Sequence, residues 1–298
     1  MNLSVSIVLP TYNHAHFLPD SIGSVLAQTF QNWELLVVDN SSTDSTSQIL
    51  SAYTDPRIRV LTIANDGIIA RSRNLGLREA RGIYVAFLDS DDLWYPDKLS
   101  ACVELLQGGV DLVCHGERWV GGGLPEREIA YGPISRATER NLVLRGNCLS
   151  TSAVVADRNL LQSLGGFSEN GEFVTAEDYE LWIRIAREGA RMAFIEHVLG
   201  EFRRSPTSAS ADIVRNVAAE IAVSEMHLQE LFSGFQLRLR RRQRRARAFY
   251  GAGRAFAARG RRGIALAWYW RALRTSPLVG RLMPAMLLLL LPSRVEQA

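Results

Sequence analysis

Two hydrophobic periods alternate along most of the chain, and that alternation restricts the fold more than any other feature. Residues 4–9 (SVSIVL) and 34–38 (ELLVV) are short β-branched runs of the kind that parallel strands bury on both faces. Between them Ile22, Val25, Leu26 and Phe30 recur at helical spacing, and Pro19 suits a first helical turn. A second helix is expected from near Ser45, where Ser45 and Gln48 can form a capping box. Residues 58–63 (IRVLTI) read as a strand, 71–80 as a helix and 83–88 as a strand; Pro96 opens another helix, and 110–114 (VDLVC) is the next strand. A strand at 152–156, a helix from Glu177 to Glu188 and two short strands within 192–203 follow, while Gly-rich 116–147 reads as variable loops. Strands that alternate with helices predict an α/β fold: an open, mostly parallel sheet with helices on both faces.

From Ile213 onward the period is helical only, so a boundary is expected at 205–212, around SPTSASA. Residues 1–210 would form the α/β domain and 211–298 a helical extension. The 298 residues, 47% of them hydrophobic, suffice for one large domain plus such an appendage. The formal charge of +3 hides an asymmetry, because the chain beyond Leu231 holds 15 arginines and one acid, Glu296. An acidic body with a basic tail implies two surfaces with different partners. Cys102, Cys114 and Cys148 are odd in number and far apart, which fits reduced thiols and no zinc cluster. Met1 leads almost directly into a strand pattern with no secretion-type apolar segment, so a cytoplasmic location is expected.

The chemistry concentrates in VAFLDSDDLW, 85–94, where an apolar strand runs into Asp89, Asp91 and Asp92. Carboxylates so close disfavour one another's ionisation. In an open sheet, ligands sit beyond the carboxyl ends of the strands. A hard divalent cation, Mn²⁺ or Mg²⁺, bound together with substrate phosphates would make such a cluster tolerable. Taken singly, each Asp also suits a helix cap or a turn before Pro96.

VLPTYNHAHFLPDSIGSVLAQTFQNWELLVVDNSSTDST followed by RNLGLREARGIYVAFLDSDDLWYPDKL resembles the inverting glycosyltransferases of family 2, which have the GT-A fold. The resemblance runs to residue 205 or so and rests on three motifs in order: PTYN, D-x-S-S-T-D and LDSDD. It implies that Pro10, Thr11, Tyr12 and Asn13 line a nucleotide pocket and that Asp39 hydrogen-bonds the base, commonly uracil. Relatives often carry D-D-G-S-T-D where this chain has Asn40 and Ser41 between Asp39 and Ser42. Arg71, Arg73 and Asn74 would contact the nucleotide or the strand edge; Arg73 and Asn74 equally suit a plain helix start. Asp89-Ser90-Asp91 matches the D-x-D element, with Asp92 a further candidate ligand and Trp94 packed beneath.

In TAEDYELWIR, 175–184, the resemblance makes Asp178 the base that activates the acceptor hydroxyl, with Glu177 assisting, after Gly165-Gly166-Phe167 in the acceptor region. Acids at a helix start also interact well with its dipole. Displacement would invert the anomeric carbon. Relatives often close the domain with Y-R-x-H-P, whereas this chain reads Phe202-Arg203-Arg204-Ser205-Pro206; Arg203 or Arg204 would stabilise a diphosphate. The donor expected is a UDP- or dTDP-linked sugar and the acceptor a glycan or a lipid-linked glycan.

RLRRRQRRAR, 238–247, invites a nucleic-acid reading, but nothing in the body supports one. Gly251, Gly260, Ala265, Tyr269, Ala272 and Pro277 resemble one tetratricopeptide-type hairpin. LMPAMLLLLL, 282–291, is too short to cross a bilayer, which needs about twenty residues. Behind arginines it suits peripheral contact with the inner face of the cytoplasmic membrane, or closure of the hairpin's own core. The competing function is a non-catalytic nucleotide-sugar-binding scaffold. A Rossmann oxidoreductase is disfavoured because strand one leads into PTYN rather than G-x-G-x-x-G.

Overall fold

The computed structural model describes residues 4–205, 211–277 and 284–286. Its strands are β1 (Val5–Thr11), β2 (Trp33–Asp39), β3 (Ile58–Thr62), β4 (Tyr84–Phe87), β5 (Leu93–Trp94), β6 (Leu112–Gly121), β7 (Arg127–Ile129), β8 (Val154–Asp157) and β9 (Met192–Arg204). Helices α1 (Leu18–Leu26), α2 (Thr46–Ser51), α3 (Ile69–Glu79), α4 (Lys98–Gln107), α5 (Glu139–Arg145), α6 (Arg158–Ser163) and α7 (Glu177–Arg187) connect them. Helices α8 (Ile213–Leu231), α9 (Gly234–Ala258) and α10 (Arg262–Thr275) follow. The chain divides into two compact units: one runs to Ala211, and the other comprises Val143–Gly146 and the chain from Asp212.

In the first unit one mixed sheet has the order β3-β2-β1-β4-β8-β6-β9-β5, with β7 paired to β6. The first four strands are parallel; β8 then runs antiparallel to both β4 and β6. Val5, Ile7 and Leu9 alternate onto one face, where they pack against Leu18, Ile22 and Val25 of α1 and Leu99 and Cys102 of α4. Val8 points the other way, and a Cβ on Gly76 of α3 would lie 2.4 Å from it. Strands covered on both faces explain why the early runs are continuously apolar instead of alternating.

Three expectations change. Ser45 makes no side-chain cap at α2; Asp44 accepts the Thr46 N–H at 3.0 Å and the Ala15 N–H at 3.0 Å instead, so it ties the start of α2 to the loop after β1. Residues 192–203 are not two strands but the single β9, whose register against β6 shifts around Gly116. Exposed Glu196 and His197 bulge there and mimic a turn in sequence, and only glycine fits opposite them: a Cβ on Gly116 would lie 2.9 Å from the Glu196 carbonyl. The segment 116–147 is ordered as the end of β6, β7 and α5, not as loops throughout.

In the second unit Ile213 and Val217 of α8, Ala248, Phe249 and Ala252 of α9, and Tyr269 and Ala272 of α10 make the core. Helices α9 and α10 form a hairpin that turns at Gly260 with φ +72°. Gly253, not Gly251, provides the close approach, since its Cβ would lie 2.4 Å from the Tyr269 ring. Of the 282–291 segment only 284–286 fall within the described residues, and 206–210 of the expected boundary lie outside them.

Two glycines allow a paired check. A Cβ at Gly82 would meet the Ser6 backbone nitrogen at 2.5 Å, whereas at Gly23 inside α1 it meets nothing within 4 Å. Gly82→Ala is expected to lower unfolding free energy by about 1–3 kcal/mol. Gly23→Ala should raise it by roughly 0.5–1 kcal/mol through helix propensity. Urea midpoints of the two variants check both signs.

Candidate active site

The parallel register places Thr11 beside Asp39 and Asp39 beside Thr62, so the strand ends form one rim. Two loops are laced across it. Asn13 adopts φ +52°, a conformation Asn tolerates better than most residues. Its side-chain oxygen accepts the Thr43 N–H at 2.7 Å, and its own N–H donates to Ser42 Oγ at 2.9 Å. Ser42 in turn donates its hydroxyl to Asp39 Oδ1 at 2.5 Å. Thr11 and Asp39 are buried at this rim, Tyr12 is 52% exposed, and Pro10 is sealed inside β1 beside Val38.

Beyond β4 the three aspartates take different environments. Asp92 is buried, accepting the Ser152 hydroxyl on Oδ2 at 2.6 Å and the Arg203 N–H on Oδ1 at 2.9 Å. Burial, and then Asp91, push its carboxyl well above the ordinary range. Asp89 accepts from Arg73 at 2.6 Å, and its N–H donates to Ser152 Oγ at 3.1 Å. Asp91 is raised to about 6 by burial and by the charge of Asp89. Both Asp92 oxygens are engaged inside the protein, whereas Asp89 and Asp91 are half-buried.

Arg73 is the hinge of this arrangement. Only 4% exposed, it donates to Asp89 and, at 2.5 Å, to Glu177 Oε1. The other Glu177 oxygen accepts the Thr175 N–H at 2.7 Å. Thr175, two residues before α7, has φ +85°, a strained conformation for a β-branched residue. Asp178 follows in the first turn of α7 and accepts the Tyr179 N–H at 2.6 Å and the Thr151 hydroxyl at 3.0 Å. Burial and the neighbouring charge of Glu177 raise its carboxyl to about 6.

The sequence profile described as "Glycosyl transferase family 2" matches residues 6–156, and that of "Glycosyl transferase family group 2" matches residues 84–295. The chain belongs to glycosyl transferase family 2. It is 33% identical over 217 residues to WfgD of Escherichia coli, a UDP-Glc:alpha-D-GlcNAc-diphosphoundecaprenol beta-1,3-glucosyltransferase, across 70% of this chain and 80% of that one. The fold is GT-A. Staphylococcus aureus TarS 1–349 in complex with UDP superposes with TM-score 0.62 at 21% identity, covering 96% of this chain and 88% of that one. The mannosyltransferase PcManGT of Pyrobaculum calidifontis, in complex with GDP-Man and Mn²⁺, gives TM-score 0.60 at 21% identity over 96% and 87%.

Within this glycosyltransferase, other expected site residues are placed differently. Asn74 is engaged at the glycine-rich turn: its amide donates to the Phe167 carbonyl at 2.8 Å and accepts the Phe167 N–H at 2.8 Å, fastening Gly165-Gly166-Phe167. Arg71 pairs with Asp66 at 2.5 Å. Arg203 and Arg204 are adjacent on β9 and so project to opposite faces. Arg203 reaches the Asp91 carbonyl and pairs with Asp20 of α1 at 2.6 Å. Arg204 instead donates to the Leu124 and Pro125 carbonyls, each at 3.0 Å, in the β6–β7 turn, so only Arg203 stands at the aspartate loop.

Several site residues carry no spacing signal in the sequence. His14 Nδ1 lies 2.8 Å from Ser90 Oγ, joining the loop after β1 to the D-x-D element, and burial, then His16, lowers its basicity. Glu117 on β6 accepts from Tyr131 at 2.6 Å and Ser150 at 3.1 Å, and burial raises it to about 7. A lone acid in the run LVCHGERW was its only trace.

The two arginines separate positioning from packing. Arg203→Gln removes the charge-assisted bonds to the Asp91 carbonyl and to Asp20 and is expected to lower kcat/KM about ten- to a hundredfold. Arg204→Gln should leave kcat/KM within about twofold. Steady-state kinetics of both variants decide whether the face assignment is right.

Proposed function

We propose that this enzyme transfers a glycosyl group from a nucleoside diphosphate donor, UDP- or dTDP-linked, to a hydroxyl of a glycan or lipid-linked acceptor, with inversion. The observation that carries the reading is Asp178: a carboxyl raised to about 6 and held by Thr151 and Tyr179, joined through Glu177 and Arg73 to Asp89. A base poised near the working pH is efficient. The printed activity of WfgD, a glucosyltransferase acting from UDP-Glc on a diphosphoundecaprenol-linked sugar, supports both donor class and lipid-linked acceptor. TarS bound to UDP and to UDP-GlcNAc supports the same donor class.

The acceptor hydroxyl gives its proton to an Asp178 oxygen as its own oxygen attacks the anomeric carbon. The bond from that carbon to the diphosphate breaks on the opposite face, and the bonding pair leaves with the nucleoside diphosphate. Asp39, with Thr11 and Tyr12 beside it, holds the base. Arg203 fixes the loop that faces the diphosphate, while Glu177 orients α7 and the acceptor side.

Among the described residues no group of three or more His, Cys, Asp or Glu is arranged to hold a metal ion by itself. Asp89 and Asp91 nonetheless fit Mg²⁺ or Mn²⁺, because such ions take one or two carboxylates and complete their shell with phosphate oxygens and water. Burial raises Asp91 most, and the repulsion from Asp89 that adds to it is a charge excess such an ion would relieve. Bound there, the cation would neutralise charge on the leaving diphosphate.

Among the described residues no helix is long and apolar enough to cross a membrane. A peripheral position at the inner face of the cytoplasmic membrane, through the basic second unit, suits a lipid-linked acceptor. A non-catalytic scaffold would require Asp178 to be dispensable.

Asp178→Asn is expected to lower kcat by about 10²–10⁴-fold with donor affinity retained. Since the base acts ionised, the parent rate should fall as pH drops through about 6, tenfold per unit below it, and rise to a plateau above. NMR of the product should show the anomeric configuration opposite to that of the donor. Unchanged turnover in the variant, or retained configuration, would sink the reading.

A further inference from the structure

We propose that the outward face of α10, built around Trp270 and Ile264 and flanked by arginines, docks on an anionic phospholipid surface. The helix has two sides. Ala265 is fully buried, Tyr269 and Ala272 join the core with α9, and Tyr269 stacks on Tyr250 with ring centroids 5.6 Å apart. The other side carries Ile264, Ala267, Trp270 and Arg274, all exposed and spaced three or four residues apart. Trp270 is 54% exposed and Ile264 37% exposed, although burial of an aromatic ring is among the largest gains a small helical unit can make.

Charge identifies the occupant. Arg261 and Arg262 stand exposed at the start of this face, Arg274 at its end and Arg254 on the neighbouring helix. From Leu231 to Val295 the sequence contains no acid to offset them. A cationic helix that exposes tryptophan and isoleucine has the composition of elements lying in the plane of a bilayer interface, with the ring at headgroup level and arginines on lipid phosphates. A polyanion such as RNA would satisfy the arginines and leave the isoleucine and alanine in water. The lipid source also matches the lipid-linked acceptor, on which the biological sense of the docking rests.

Each arginine near an anionic leaflet multiplies partitioning about fivefold. Full-length protein is sedimented with phosphatidylcholine vesicles with and without phosphatidylglycerol. The expected result is partitioning to the anionic vesicles only, weakened by salt, and reduced on the order of a hundredfold by the triple change Arg261→Gln, Arg262→Gln, Arg274→Gln. Ile264→Glu with Trp270→Glu should also release the protein, while melting temperature and turnover of a water-soluble acceptor stay at parent level. Variants that partition like the parent would assign binding to another surface and overturn the proposal, as would equal binding to phosphatidylcholine alone or preference for an RNA oligonucleotide over vesicles. Docking without turnover of a lipid-linked acceptor would defeat the acceptor reading alone. Turnover of such an acceptor by variants that partition normally would defeat the docking face alone.

Discussion

Removing a guanidinium from water costs several kcal/mol, and a buried one persists only if carboxylates and good geometry offset that cost. Arg73 meets both conditions by spanning Asp89 and Glu177. Asp89 lies just beyond the end of β4 and Glu177 begins α7, so one side chain sets the distance between the aspartate loop and the candidate base. The neighbouring Asn74, on the same helix, fastens the glycine-rich turn that precedes α7. Helix α3 therefore aligns the two halves of the site. The strained Thr175 backbone is affordable because Glu177 holds its N–H.

Around this cation the carboxylates are arranged in a gradient of engagement. Asp92 is enclosed by Ser152 and the Arg203 backbone, Asp89 is paired on one oxygen, and Asp91 is raised to about 6 by burial and then by Asp89. Beneath them Trp94 donates its indole N–H to the Ser152 carbonyl at 2.7 Å, and Lys98, the only lysine in the chain, lies 3.4 Å from the Trp94 ring centre. Burial lowers Lys98 to about 7. The loop is thus rigid below and carries excess negative charge above, the preorganised condition in which a cation and a diphosphate gain most from binding.

What the sequence disclosed was what lies contiguous in it. LDSDD and TAEDYE each carry their chemistry within a few residues, and the apolar runs that deliver them have a clear period. The link between them was invisible, because Arg73, Asp89 and Glu177 meet only after three elements have folded together. Glu117, Tyr131 and Ser150 were missed for the same reason, as their contact depends on the turn of β6 into β7. The division of labour between Arg203 and Arg204 follows from strand alternation, but only once 192–204 is recognised as one strand, and the exposed bulge at Glu196 and His197 concealed that. In the second unit the charge asymmetry was plain from composition, whereas the choice of Gly253 over Gly251 for the helix crossing needed the packing itself.

On the proposed function, the aspartate loop is an incomplete site, finished by a divalent cation and a nucleoside diphosphate together. Calorimetric titration of UDP into the protein, with Mn²⁺ and again with a chelator, addresses it without knowledge of the acceptor. Binding is expected only when the cation is present, and it should be lost in Asp91→Asn. Equal affinity in the presence of chelator, or undiminished metal-dependent binding by the variant, would contradict it.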